Sequence, residues 1–373
     1  MTDTALRHPS PSAATPLEPA DPPVSVADGA TVPRRFGRGW RLVLFSVLGV
    51  VLVLVVGTAA AGLWVRHALG NNVETFADPF AGLATRAPQQ AVQKGQKPAT
   101  NFLVLGSDSR ISAGDPSQWE VGAQRTDAIM IVQVSGNRED VSVMSIPRDS
   151  WVDVPGHGRA KINAAYSYGG PALTIQTVEQ LTGIRIDHFI VADFESFKTL
   201  TDEIGGVTIN LKTPQTLAGT ELDAGAQLLN GEQALAYTRE RRTLPGGDFD
   251  RINRQQAWMR AIVSQVFSSG TLSDPTRLYS FLHAVTSTMA VDEGLTVDEM
   301  QDLALGMRDV RSKDIKFMTV PTAGTDMSHD GQSIVNLDAD AGALLFEAFA
   351  TDAVEEYMES HPGAVELLPA TVN

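Results

Sequence analysis

The sequence predicts a mixed α/β domain with a central sheet flanked by helices, held behind one N-terminal transmembrane helix. Three observations carry that expectation. Short apolar runs at 102–105, 127–134 and 141–146 each end against charged residues, as the strands of a buried sheet do. Longer segments with helical spacing and recognisable start and stop residues follow them, with no internal repeat. Ahead of both, Leu42–Val65 runs for 24 residues without a charge.

That run would span about 36 Å as a helix, against a hydrocarbon core of roughly 30 Å. It is also longer than the roughly 7–15 residue core of a cleaved signal. Arg34, Arg35, Arg38 and Arg41 precede it. The excess of cations on that side places residues 1–41 in the cytoplasm and the rest of the chain outside. Residues 1–33 are rich in Pro, Ala, Ser and Thr and read as a disordered tail. The organisation expected is therefore a tail at 1–41, a membrane helix at 42–65, a linker at 66–97, one domain at 98–350 and a loosely held acidic tail at 351–373.

Within the domain, Lys161–Tyr166 should begin a helical stretch broken at Gly169 and Gly170, with a second helix from Pro171 to Leu181. Ile186–Ala192 and Val207–Leu211 read as strands around a helix at Phe194–Ile204. Asn230-Gly231 opens the segment Glu232–Tyr237. Arg251–Ser268 reads as a long helix with a buried stripe of Ile252, Met259, Ile262, Val263 and Val266. Further helices are expected at Pro275–Val291, Val297–Val310 and Ala341–Ala350, and a strand at Ile315–Val320.

The formal net charge is -15, which argues against general nucleic-acid binding. There is no cysteine, so disulfides and thiolate metal sites are excluded. No phosphate-binding glycine loop supports a nucleotide, and neither the G-x-S-x-G nor the H-E-x-x-H pattern occurs. His188 sits in an apolar strand and reads as a satisfied core residue. Tyr166 and Tyr168 read as packing residues, with a sugar path as the other use.

Against this acidic background, Tyr237–Gln256 gathers five arginines: Arg239, Arg241, Arg242, Arg251 and Arg254. On extended backbone Arg239 and Arg241 would point to one side. A turn at Pro245-Gly246-Gly247 would then reverse the chain, and Asp250 would cap a helix beginning at Arg251. Arg251, Arg254 and Gln255 would share a face of that helix. A cation in the first helical turn is disfavoured by roughly 0.3–1 kcal/mol unless an anion lies beside it. The cluster fits a phosphate or pyrophosphate clamp, and it also fits a solvated basic face holding ion pairs. Asp108 and Asp127 each stand at a strand edge. Two carboxylates suit Mg²⁺ or Mn²⁺, or they pair with Arg110 and Arg125.

Taken in order, these motifs resemble the LytR-CpsA-Psr family of membrane-anchored cell-wall glycopolymer ligases. The resemblance rests on G-S-D-S-R at 106–110, R-T-D at 125–127, S-I-P-R-D at 145–149 and K-I-N-A-A-Y at 161–166. It continues in L-N-G-E-Q-A-L-A-Y-T-R-E-R at 229–241 and D-F-D-R-I-N-R-Q-Q at 248–256. It covers roughly 98–270 and weakens towards about 350.

The resemblance implies an extracytoplasmic enzyme with a polyprenyl-pyrophosphate-linked glycan as donor and peptidoglycan as acceptor. It implies a reacting centre of Asp108, Arg125, Asp127 and Arg148, with Mg²⁺ held by Asp108 and Asp127. Arg125, Arg148, Arg239, Arg241, Arg251 and Gln255 would surround the pyrophosphate, with Asp248 orienting the arginines and Lys161 nearby. It also implies an apolar cavity for the prenyl chain, here among Ile190, Phe194, Phe197, Ile262 and Val266, residues that would equally make a core. Hydrolysis of the lipid pyrophosphate and non-catalytic lipid or glycan binding are the competing functions. A transcription regulator is disfavoured, because about 41 cytoplasmic residues are too few for a helix-turn-helix module.

Overall fold

Alternating side chains lay the apolar runs into one sheet with two buried faces. The computed structural model describes residues 74–76, 78–83, 85–92, 97–107, 126–240, 248–268 and 289–372, with isolated positions between 274 and 284. All of them belong to one unit, Ala60–Asn373. The apolar run Leu42–Val65 lies outside the described residues; among these, no helix is long and apolar enough to cross a membrane.

In chain order, β1 (Glu74–Phe76) is followed by a meander of β2 (Thr100–Ser107), β3 (Thr126–Val134) and β4 (Val141–Ser145). A hairpin, β5 (Trp151–Val154) with β6 (Gly158–Lys161), leads into α1 (Ala164–Thr182). β7 (His188–Asp193) runs into α2 (Phe194–Glu203). Next come β8 (Val207–Leu211), β9 (Gln215–Leu217), β10 (Thr220–Leu222) and β11 (Gly225–Leu229). These form two ribbons, β8 with β11 and β9 with β10. Helices α3 (Gly231–Arg239) and α4 (Asp248–Ser268) precede β12 (Met289–Asp292) and α5 (Val297–Gly306). The chain ends with β13 (Ile315–Thr319), the ribbon β14 (Thr322–Met327) with β15 (Ser333–Leu337), then α6 (Ala339–Ala350) and α7 (Val354–Ser360).

The central sheet has the order β1-β12-β7-β2-β3-β4-β13. β2 is parallel to β7, and β4 is parallel to β13. Because β3 is antiparallel to both β2 and β4, the four strands β2, β4, β7 and β13 all point one way. Leu103, Leu105, Ile129, Ile131 and Met144 bury one face against Ile175 of α1 and Leu345 of α6. Phe102, Met130 and Val143 bury the other with Leu303 of α5 and Met259 of α4. The period of two along each strand makes this division unavoidable once both faces are covered. A third core packs α2, α3 and α4 on β8, centred on Trp258, whose Nε1 donates to Thr201 Oγ1 at 2.9 Å.

Local chemistry sets several boundaries. α1 is kinked where Gly170 takes φ 62° and ψ -152°, a conformation that glycine adopts without steric cost, with Pro171 opening the straight part. α3 begins with a capping box: Asn230 Oδ1 accepts from the Gln233 N–H at 2.9 Å, and Gln233 Oε1 accepts from the Asn230 N–H at 3.0 Å. Gly231 is required there, since a Cβ would lie 2.2 Å from the Lys198 carbonyl oxygen of α2.

Five expectations change. Lys161 ends a strand instead of opening a helix. The helix expected at Pro275–Val291 does not reach Val291: the described residues between 276 and 284 are helical, but 289–292 are a strand, because a short apolar run fits either period until its partner strand is known. β1 and Arg86 tie part of the linker to the domain. β1 pairs with β12, and Arg86 Nη2 meets Glu179 Oε1 at 2.7 Å. The 351–373 stretch is packed, because Val354, Tyr357 and Val372 are buried and Leu211 pairs with Val372. α4 starts at Asp248, so Asp250 lies inside its first turn and does not cap it.

His188 is the satisfied core residue its setting suggested. It is 6% exposed, with Nδ1 3.2 Å from Asp292 Oδ2 and Nε2 3.3 Å from Glu299 Oε1. Burial pulls its pKa down, but the hydrogen bond and charge of Asp292, with Glu299, outweigh burial and hold it above the ordinary value. This stabilisation is complete below the unfolded imidazole value of about 6.5 and is lost as pH rises through the elevated folded value. Denaturant unfolding of His188→Gln should show a loss on the order of 3 kcal/mol at pH 6, narrowing as pH rises. A loss independent of pH would contradict the charged pairing.

Candidate functional site

The shared direction of β2, β4, β7 and β13 brings their ends to one sheet edge. Ser107, Ser145, Asp193 and Thr319 finish there, and β3 starts there at Thr126. Ser107 is paired with both Thr126 and Asp193. Gly106 pairs with Ala128 while Ser107 pairs with Thr126, so Asp127 is the extra residue of a β-bulge. Bulges re-aim the chain at functional edges. Thr126 is fully buried beside it, and its Oγ1 has no hydrogen-bond partner among the described residues.

The loop after β4 carries Arg148 along this edge. The Arg148 carbonyl accepts from the Asn163 N–H at 3.2 Å, and the Ser150 N–H donates to the Pro147 carbonyl at 2.9 Å, so the loop is held at both ends. Asp149 sits between two cations. Its Oδ1 lies 3.0 Å from Lys161 Nζ, and its Oδ2 lies 3.9 Å from Arg148 Nε. The first is a direct ion pair; the second is long for a hydrogen bond and acts through charge. All three side chains keep between 16% and 21% of their surface in solvent, so they remain reachable from outside.

α4 supplies the next group. Gln256, 1% exposed, donates through Nε2 to Ser145 Oγ at 2.7 Å and to the Met318 carbonyl at 2.9 Å. These bonds dock the helix onto the outgoing ends of β4 and β13. Arg251, Arg254 and Gln255 share the expected face and are 4%, 1% and 7% exposed. Arg254 is a strut inside the protein: Nη1 donates to the Tyr237 carbonyl at 2.8 Å and Nη2 to Gln215 Oε1 at 2.9 Å. Its guanidinium carbon lies 4.3 Å from the centre of the Tyr237 ring. Burial draws the Arg254 pKa down, opposed by Tyr237, Asp250 and Glu240. Burial pushes the Tyr237 hydroxyl up to about 12, which removes it as a proton donor or acceptor near neutrality.

The structure thus brings Arg148, Lys161, Arg251 and Gln255 to elements that meet at one edge. Arg239 is the exposed last residue of α3, so it is helical and not on extended backbone beside Arg241. Asp108, Arg125 and Arg241 lie outside the described residues, and for Asp127 and Asp248 only the backbone is described. Phe194 and Phe197 are likewise described by backbone alone. Ile262 and Val266 belong to the third core, whereas Ile190 packs with Val104, Val132 and Met259 on the second sheet face. Sequence reasoning missed Asp149, Gln256 and the register position of Asp193. The first two stood beside motif residues already chosen, in S-I-P-R-D and R-Q-Q.

Fold and edge together define an open α/β sheet whose strand ends carry cationic loops, the arrangement in which such sheets bind ligands. The chain belongs to the LytR_cpsA_psr family, which it matches over residues 73–348. It is 37% identical over 295 residues to the probable cell wall biosynthesis protein LcpB of Corynebacterium glutamicum, covering 77% of this chain and 67% of that protein. It is 31% identical over 304 residues to TagU of Enterococcus faecalis, named a polyisoprenyl-teichoic acid–peptidoglycan teichoic acid transferase, covering 81% and 93%. The crystal structure of B. subtilis TagV has the same fold, with a TM-score of 0.55 and 24% identity over 71% of this chain and 99% of that one.

If Gln256 holds α4 on the sheet, Gln256→Leu should lower unfolding free energy by about 1–3 kcal/mol, because it orphans Ser145 Oγ and the Met318 carbonyl. Chemical denaturation reads this directly; an unchanged midpoint would show that the helix is held by its apolar contacts alone.

Proposed function

We propose that this chain transfers a glycopolymer, as its glycosyl phosphate, from a polyprenyl-pyrophosphate carrier to a hydroxyl of peptidoglycan. The observation that carries the reading is the meeting of Arg148, Lys161 and the Arg251 face of α4 at the sheet edge from which the chain continues to Asp108. The names of the relatives support the donor and acceptor classes.

In this reading the acceptor oxygen attacks the sugar-proximal phosphorus. The P–O–P bridge breaks, the glycosyl phosphate becomes a phosphodiester on the acceptor, and polyprenyl phosphate leaves. The hydroxyl proton would pass to Asp108 or Asp127, whichever is not committed to a metal ion. Charge builds on the leaving phosphate, and Arg148 and Arg251, with Arg125, Arg239 and Arg241, would disperse it. Lys161 is kept by Asp149 in reach of the same charge, and Asp248 opens the helix that bears Arg251. Gln255 would donate to a phosphate oxygen. The orphaned Thr126 hydroxyl, the bulge at Asp127 and the oxygen-only donor set fit a hard divalent ion, which Asp108 and Asp127 would hold. Mg²⁺, or Mn²⁺, would neutralise pyrophosphate oxygens when bound.

A channel for the prenyl chain would take its walls from partly buried apolar residues of the second sheet face, Val104, Val132, Ile190, Met259 and Met289, which pack against the core there. Leu42–Val65 would tether the domain outside the cytoplasmic membrane, where a lipid-linked donor is presented.

Arg148→Ala should lower turnover of a prenyl-pyrophosphate glycan by about 10²–10³-fold with an unchanged unfolding midpoint. EDTA should abolish turnover and Mg²⁺ should restore it. Turnover within about twofold of wild type in the folded variant would remove the clamp from the reaction.

A further inference from the structure

We propose that the groove between the β5–β6 hairpin, β15 and the start of α6 binds a chain of uncharged sugar units. The proposal rests on the function above and gives it a place for a glycan. The groove offers about 390 Å³, within the range of small-molecule sites, and Leu337 and Phe346 are among its lining residues.

Three features select a sugar. First, Trp151 lines the groove and is half-buried, so part of its indole is open to a ligand. A pyranose presents an apolar C–H face to such a ring and a rim of hydroxyls that both donate and accept. Second, the groups around the indole suit that rim. Asp153, Gln180 and Asn336 line the groove, and none of these side chains hydrogen-bonds to another described residue. Two amides and a carboxylate offer both donors and acceptors. Third, the groove is no anion clamp. Its one cation among the described residues, Arg159, donates through Nη2 to the Trp151 carbonyl at 2.8 Å and shares the lining with two carboxylates, Asp153 and Asp338. A free phosphate would meet the Asp153 carboxylate instead.

Position links the groove to the reacting edge. Trp151 is three residues after Arg148 and lies directly opposite Lys161 in the hairpin ladder. The Val335 N–H donates to the Asp149 carbonyl at 2.9 Å, which fixes Asn336 beside the same loop. A glycan lying along the hairpin therefore runs towards Arg148 and Lys161. It is either the acceptor strand or the sugar portion of the donor.

The test uses the full chain in detergent. Two probes are titrated by calorimetry: peptide-free peptidoglycan oligosaccharides with their lactyl carboxyls amidated, and uncharged oligosaccharides of the donor glycopolymer. Wild type should bind at least one. Trp151→Ala and the double variant Gln180→Ala/Asn336→Ala should each weaken it by about tenfold, and Trp151→Phe should keep most of the affinity. Which probe responds identifies the source of the sugar. In transfer assays the groove variants should raise the KM for that glycan and leave binding of prenyl pyrophosphate alone unchanged. Affinities unchanged in both variants, or no saccharide binding by wild type, would overturn the groove. Groove-dependent binding without any transfer would instead remove the transferase reading and leave the groove standing. If Trp151→Ala fails to fold, the double variant decides.

Discussion

The amide of Gln256 is the interaction on which the candidate site depends. A buried amide must be satisfied, and this one meets Ser145 Oγ and the Met318 carbonyl at the outgoing ends of β4 and β13. The adjacent residue Gln255 and the preceding turn with Arg251 are thereby fixed in depth and rotation against the sheet. Arg254 completes the arrangement by gripping the end of α3 through the Tyr237 carbonyl. Two buried polar groups thus position the cationic part of the helix, and neither needs to touch a substrate to do so.

Charge explains why so much of this edge is braced. The chain carries a formal net charge of -15, so a local gathering of cations is offset by carboxylates both nearby and across the chain. Asp149 holds Lys161 close to Arg148, and Asp250 and Glu240 oppose the depression of Arg254. These carboxylates offset the repulsion among the cations, and Arg148 and Lys161 stay part-exposed. The opposite end of the sheet shows the complementary solution, with the buried His188 held between Asp292 and Glu299.

Much of the architecture was legible because buried strands and amphipathic helices carry strong periods. The runs at 102–105 and 127–134 fall within central strands, the run at 141–146 overruns β4 by one residue, and the break at Gly169-Gly170 is a real kink. The misses share a cause. G-R-A-K at 158–161 has no apolar signal, so its strand exists only through its pairing with β5. Met289–Asp292 is a strand because β7 and β1 flank it, which no local pattern shows. The final stretch is acidic on average, yet Tyr357 and Val372 anchor it. Motifs named the candidate site residues, and of these Arg148, Lys161, Arg251 and Gln255 lie on described elements that meet at one edge. What the linear order concealed was direction: that β2, β4, β7 and β13 run together, so that motifs far apart in sequence end at one edge. The bulge at Asp127 and the pairing of Ser107 with Asp193 follow from register, which only the folded sheet supplies.

The central claim is that this edge transfers a phosphoryl group to a sugar hydroxyl and not to water. Turnover of a prenyl-pyrophosphate glycan in ¹⁸O-water, with peptidoglycan oligosaccharides present, separates the two by mass spectrometry. The account predicts a glycan–phosphate–glycan diester that carries no ¹⁸O, together with unlabelled polyprenyl phosphate. Free glycosyl phosphate bearing one ¹⁸O as the main product would contradict it and make water the acceptor.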